Sequence, residues 1–289
     1  MRIGWRNQAF QSLNGVGLGL LGVTTCFPIY YVLVVSLADP AEFAQKRWLL
    51  WPDHWSFDAY RYLLSTDAFL RSVGNSAFLA TVGTALSLIV TAMLAYPLSR
   101  RRMRGRRKVL LFVLITILFS PGLIPAYMLV RQLGLIDSIW ALIIPSLANG
   151  WSVLLMKSFF ESIPADLDES AAMDGANDMR IWFSVILPLS MPALAAFGLF
   201  YAVGYWNQFF SALIYLNDST KWPIQVLLQN MLLSANNAAL DAYDVSAAPP
   251  PSEMLKMAAV IVATVPIVLV YPFLQKHFAK GAMVGSIKG

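Results

Sequence analysis

Few side chains in this sequence could make or break a covalent bond. Its 289 residues include one cysteine, Cys26, set in an apolar run, and two histidines, His54 and His277, isolated from each other and from any cluster. These leave no disulfide framework, no metal-ligand spacing and no nucleophile with a base at helical distance, which excludes the enzyme classes that need them. No GxxxxGK[ST] phosphate loop is present either, so any ATP hydrolysis must belong to another polypeptide. What remains is recognition and mechanics. Tyr201, Tyr205 and Gln208 share one helical face, and rings beside an amide suit a sugar, which stacks on the rings and pairs its hydroxyls with the amide. An ordinary aromatic belt at a membrane surface accounts for the same residues.

The second group lies at 161–188, ESIPADLDESAAMDGANDMRIWFSVILP, a polar, helix-coded hairpin between two long apolar segments. Pro164 suits a first helical turn, and Asp166, Asp168 and Glu169 place negative charge where the helix dipole favours it. Leu167, Ala171 and Ala172 give a small apolar face, and Gly175 supplies a stop where a left-handed residue is wanted. A second short helix starts near Asn177 and runs towards Leu187 and Pro188. A plain amphipathic connector is the alternative to a docking element.

The elements that must hold these groups are set by composition. The chain is 58% hydrophobic and 13% charged, against about 25% charged in a soluble domain, so most of it is solvated by lipid. Six apolar stretches are long enough to cross a bilayer, at about 13–37, 73–98, 109–130, 139–160, 184–210 and 257–274, which makes the chain one all-α polytopic domain over 1–289 with the hairpin at 161–183. A signal peptide is set aside for the first, whose uncharged run exceeds the roughly 7–15 residues of such a core. Gly15, Gly19 and Gly22 on it predict close helix packing. Thr81, Thr84 and Thr91 on the second either line a pathway or bond their own backbone carbonyls. Pro121, Gly122 and Pro125 break the third, and Pro145 with Asn149-Gly150 breaks the fourth, marking translocation-path helices or plain packing kinks.

Charge orients the spans. Arg100, Arg101, Arg102, Arg104, Arg106, Arg107 and Lys108 follow the second span at once; a nucleic-acid patch would need neighbouring base-reading elements, so the run reads as a positive-inside anchor. On this assignment both termini, the arginine run and the hairpin are cytoplasmic, while the aromatic segment 39–71 and a long loop at 213–256 carrying Asn236 and Asn237 lie outside. A secondary, ion-coupled transporter is the rival from another class, but only Lys157 is ionisable within a span, near its end.

The hairpin resembles the EAA loop of ABC importer permeases. The family spacing is Glu, Ala, Ala, three residues, Gly, nine residues, Ile, one residue, Leu-Pro; Glu169, Ala171, Gly175, Leu187 and Pro188 fall on it, with Ser170 for the first Ala and Val185 for the Ile. The segments NSAFLATVGTALSLIVTAMLAYPLSRRR, VILPLSMPALAAFGLFYAVGYWN and KGAMVGSIKG extend the likeness to the carbohydrate-uptake, maltose-importer-like branch of type I importers, nearest to subunits for complex oligosaccharides such as alginate. The resemblance implies a multi-pass subunit of the bacterial inner membrane, paired with a second permease, two ATPase subunits that use ATP and Mg, and an extracytoplasmic solute-binding protein. This chain would bind no cofactor itself. It also implies that Glu169 and Gly175 form the coupling joint, that Ala171, Ala172, Asp174 and Ala176 form its docking surface, and that the loop holding Asn236 and Asn237 meets the binding protein.

Overall fold

A helix in lipid must satisfy its own backbone, so proline and glycine decide where the apolar stretches run straight and where they break. The computed structural model describes residues 5–46, 48–233 and 250–285, with side chains throughout except at 5–9, 12, 165 and 271–285. Among the described residues the chain is helical, apart from turns and one isolated bridge between Ala38 and Trp55. The helices are α1 (Trp5–Ser36), α2 (Pro40–Gln45), α3 (Asp58–Ser65), α4 (Asp67–Ser99), α5 (Arg106–Leu118), α6 (Leu123–Gln132), α7 (Trp140–Ser146), α8 (Gly150–Ser162), α9 (Ala165–Met173), α10 (Asp178–Leu189), α11 (Met191–Trp206), α12 (Phe210–Tyr215), α13 (Ile224–Leu233) and α14 (Ser252–Gly285).

Three of them, α1, α4 and the Ser252–Val270 part of α14, are long and apolar enough to cross a membrane singly. Three bent pairs meet the same condition together: α5 with α6 at 116°, α7 with α8 at 51°, and α10 with α11 at 78°. Each pair taken as one span gives six. At the first break Gly122 adopts φ +82° between Pro121 and Pro125. At the second, Asn149 starts α8 by accepting from the N–H of Ser152 at 3.2 Å. The third falls at Ser190, between Pro188 and Pro192, inside what reads by composition as one fifth span.

Two other expectations are corrected. Helix α10 already runs from Asp178 through a wide turn at Trp182–Ile186, so the fifth span has no fresh start at 184, and it stops at Trp206 rather than 210. The segment after 213 is not a loop over its described part, because α13 buries Ile224, Val226, Leu227, Leu228 and Met231, and α14 begins at Ser252.

Residues 1–70 with 228–265 group as one unit, and 71–227 with 266–289 as another. In the first, α1 is bare along most of its length, and a Cβ built at Gly15, Gly19 or Gly22 would meet nothing within 4 Å. The close packing expected of those glycines is therefore not made among the described residues. The aromatic segment after α1 is pinned by Glu42 of α2, which accepts from Lys46 Nζ at 2.7 Å and from the N–H groups of Asp53 and His54 at 3.0 and 3.1 Å. Those donors, Lys46 foremost, hold the Glu42 carboxyl well below its ordinary range, at about 2. A depressed carboxyl contributes stability that is complete above its unfolded value of 4.5 and is lost as pH falls through the folded one. Amide exchange at Asp53 and His54 is expected to stay slow at pH 4 and to rise towards pH 2, and to be fast at both in Glu42→Gln. Equal protection in that variant would show that Glu42 does not hold the segment.

In the second unit, α4 presents Gly83, Ser87, Thr91 and Ala95 four residues apart, a strip of small side chains on one face that lets α11 approach. The hydroxyls of Ser87 and Tyr205 share a hydrogen bond of 2.9 Å, and those of Thr91 and Tyr201 one of 2.7 Å. Of the span's threonines, Thr81 bonds its own backbone at Ala77, Thr91 is buried against Tyr201, and Thr84 Oγ1 is buried without a partner among the described residues. At the end away from the arginine run, Asp137 takes φ +58°, accepts from the N–H groups of Asn217 and Asp218, and receives Lys221 Nζ at 2.9 Å.

Candidate functional site

The hairpin's capping chemistry is legible residue by residue. Pro164 stands at the N-cap of α9, with Asp166 and Asp168 in the first turn. Gly175 has φ +79°; its N–H donates to the carbonyl of Ala172 and that of Ala176 to Ala171, each at 3.0 Å. This is the Schellman closure, in which one left-handed residue lets two otherwise orphan carbonyls find donors. Asn177 then caps α10, its Oδ1 accepting from the N–H of Arg180 at 2.9 Å.

Burial divides the residues singled out on the hairpin. Glu169, Ala172, Asp174 and Gly175 are exposed. Ala171 and Ala176 instead turn inward, half-buried against a core of Tyr96, Phe160, Ile181 and Trp182, so they close the turn rather than add to an outer surface. The large apolar side chains left bare are Met173, 88% exposed, with Leu167, Met179 and Phe183. Sequence reasoning passed over Met173, although an apolar residue in the last turn of a polar hairpin was the available signal.

The arginine run, read above only as an anchor, supplies the hairpin's ion partners. Arg100 Nη1 meets Asp168 Oδ2 at 2.9 Å, Arg102 pairs with Asp178, and Arg106 pairs with Glu161, whose other oxygen takes Lys157 Nζ at 2.7 Å. Arg106 Nε also donates to the carbonyl of Leu98 in the last turn of α4 at 2.7 Å. Lys157, the single charge placed inside a span, is thus neutralised one turn away.

The second candidate region is a cavity of about 220 Å³ lined by Ser146, Phe200, Tyr201, Gly204, Tyr205 and Gln208. All three sequence-chosen residues line it, but they differ in what they offer. Tyr205 is 4% exposed, belongs to the core with Leu79, Leu142 and Tyr215, and spends its hydroxyl on Ser87, so its ring is a structural wall. Tyr201 is half-buried, and Gln208 donates Nε2 to the carbonyl of Leu142 at 3.2 Å while its Oε1 stays buried without a partner. That oxygen is a buried acceptor with its capacity unused. Ser146 was missed because its place beside Tyr201 depends on the break between α7 and α8, whereas Phe200, next to Tyr201 on α11, was within reach of the sequence. Asn236 and Asn237 lie outside the described residues. Among the described residues no three His, Cys, Asp or Glu side chains are placed to hold a metal ion.

Comparison with known proteins adds a lineage to this geometry. Residues 83–284 match the family described as binding-protein-dependent transport system inner membrane component. The polygalacturonan/rhamnogalacturonan transport system permease protein YtcP of Bacillus subtilis (strain 168) is 45% identical over 98% of this chain and 100% of its own length. A chain of a bacterial ABC transporter involved in the import of the acidic polysaccharide alginate superposes with a TM-score of 0.87 at 34% identity, covering 96% of this chain and 99% of that one. A chain of a bacterial alginate ABC transporter, solved in complex with alginate pentasaccharide-bound periplasmic protein, shares the fold at a TM-score of 0.55 and 16% identity, covering 93% of each.

Proposed function

The chain belongs to the family of binding-protein-dependent transport system inner membrane components, and we propose that it is the half of an importer's pathway that a separate ATPase drives through the hairpin 161–183. It is a multi-pass permease subunit of an ABC importer for oligosaccharides, a transport component rather than an enzyme. The observation that carries the coupling reading is the outward face of the hairpin, where Met173 and Leu167 stand bare beside Glu169 and Asp174 on a polar element fixed by a double cap. A bare methionine on such a rigid projection suits insertion into a partner's cleft. The arginine run supports a cytoplasmic hairpin and cytoplasmic termini, since such positive charge is retained on the inner side. ATP and Mg belong to the ATPase.

The substrate we propose is an oligosaccharide of uronic acids. Polygalacturonan and alginate are both uronate polymers, and they are named for the relative and for the structural neighbour of 34% identity. The cavity beside Tyr201 and Gln208 is, at about 220 Å³, smaller than the roughly 300 Å³ at which ligand pockets begin. A second permease subunit facing it would complete the path. The segment holding Asn236 and Asn237 would meet the solute-binding protein, since long connections of that kind carry function.

One reconstitution tests the reading. Proteoliposomes holding this chain with its copurified partners should take up oligogalacturonates only with ATP and binding protein, and shortening segment 234–249 should remove the binding protein's stimulation of ATP hydrolysis. A cysteine at Arg104, in a Cys26→Ser background, should be labelled from the cytoplasmic side alone. Uptake driven by a pH gradient without ATP would overturn the reading in favour of an ion-coupled transporter.

A further inference from the structure

The arginines that follow α4 do more than set orientation. Three of them reach along the hairpin: Arg106 holds Glu161 at its start, in the last turn of α8, Arg100 holds Asp168 within α9, and Arg102 holds Asp178 at the start of α10. The Arg100 and Asp168 side chains are only 12% and 14% exposed, and Arg100 also lies over the Tyr96 ring at 5.0 Å from its centroid. A pair so withdrawn from water cannot part cheaply, because each charge would be left buried and alone. Arg100 Nε and Nη2 and Asp168 Oδ1 are buried without a hydrogen-bond partner among the described residues, so the Nη1–Oδ2 contact at 2.9 Å and the Tyr96 ring are what offset the burial of the two charges. Arg100 is the C-cap of α4, Arg102 lies in the turn that follows, and Arg106 opens α5, from which its Nε ties back to the carbonyl of Leu98 in α4.

From this clamp we infer that Arg100 is a positioning residue for energy coupling: it fastens the hairpin to the end of α4, so that a push on the hairpin moves α4 and, through the Ser87–Tyr205 and Thr91–Tyr201 bonds, α11 beside the cavity. The inference rests on the proposed docking of the hairpin to an ATPase. It adds a route by which that push reaches the Tyr201 and Gln208 wall, through a rigid chain of paired groups. Without the ion pair, α9 would be held to α4 only by the packing of Ala171 and Ala176 on the core around Tyr96, which fixes its direction less firmly than a buried charge pair.

The test uses the complete reconstituted complex. Arg100→Met, which keeps the stem and removes the charge, is expected to lower uptake per ATP hydrolysed by about tenfold, within the range of ordinary coupling terms, with the ATPase retained and still hydrolysing. Because that variant could fail to assemble, a second arm uses exposed positions: Arg102→Cys with Asp178→Cys in a Cys26→Ser chain, joined by a bifunctional thiol reagent. Linking these two should leave uptake per ATP at or above the unlinked value, since the loop and the hairpin move together. Wild-type uptake per ATP in Arg100→Met, or transport blocked by the link, would overturn the inference. Met173→Cys separates the two layers: failure to cross-link it to the ATPase defeats the docking reading, whereas capture of the ATPase with unchanged coupling in Arg100→Met defeats only the clamp.

Discussion

Gly175→Leu is expected to leave the spans inserted and to cut transport by a factor of about 5–30, the equivalent of one to two kcal/mol. The cause is conformational rather than steric. Gly175 holds φ +79° and a Cβ built there meets nothing within 4 Å, so a side chain has room but not the backbone angles. A non-glycine residue in the left-handed region costs about 1–2 kcal/mol, and relieving that strain means giving up the N–H contacts of Gly175 and Ala176 that end α9. Ala176 and Ala171 would then leave the core they share with Trp182, and the face carrying Glu169 and Met173 would lose its fixed direction. Asparagine tolerates the left-handed region better than other side chains, so Gly175→Asn should retain most transport. The measurement is subunit retention, ATP hydrolysis and uptake on one preparation of each variant. Wild-type values of all three for leucine would reduce the hairpin to a connector.

The second large effect lies in the membrane. Gly83→Ala should destabilise the chain by about 1–3 kcal/mol, as overpacking of a filled interface does. The new methyl group would stand 2.8 Å from Cε2 and Cζ of Tyr205. The ring cannot easily yield, because its hydroxyl is shared with Ser87 in a buried bond worth about 1 kcal/mol. Gly74, in the same helix, is the internal control: nothing lies within 4 Å of its position, so alanine there should be neutral or stabilising by up to about 1 kcal/mol through helix propensity. Thermal unfolding in detergent should separate the two variants clearly. Equal midpoints would mean that Tyr205 is free to move, and the rigid link from α4 to α11 would go with it.

The apolar stretches, their breaks and the hairpin's caps were written in the sequence by itself. Each depends on residues within one or two turns: uncharged runs of span length, Pro121 with Gly122, Asn149 before Gly150, Pro164 ahead of the acidic turn, and Gly175 before Asn177. Such signals are local because backbone dihedrals and caps are local. The fifth span was read less well, since an apolar composition cannot tell a straight helix from one bent by 78° at Ser190. Which of the chosen side chains face outward was decided only by tertiary structure. Tyr201, Tyr205 and Gln208 share a face on paper, yet Gln208 falls past the end of α11 at Trp206 and reaches the cavity from there, while packing on Gly83 and Ser87 makes Tyr205 part of the core as well as a wall of that cavity. Ala171 and Ala176 were likewise taken inward by aromatic neighbours from α4, α8 and α10. The pairing of Arg102 with Asp178 spans 76 residues and that of Arg106 with Glu161 spans 55. A charge in a sequence is free to meet any opposite charge, and only the fold, by bringing the end of α4 beside the hairpin, settles which one it meets.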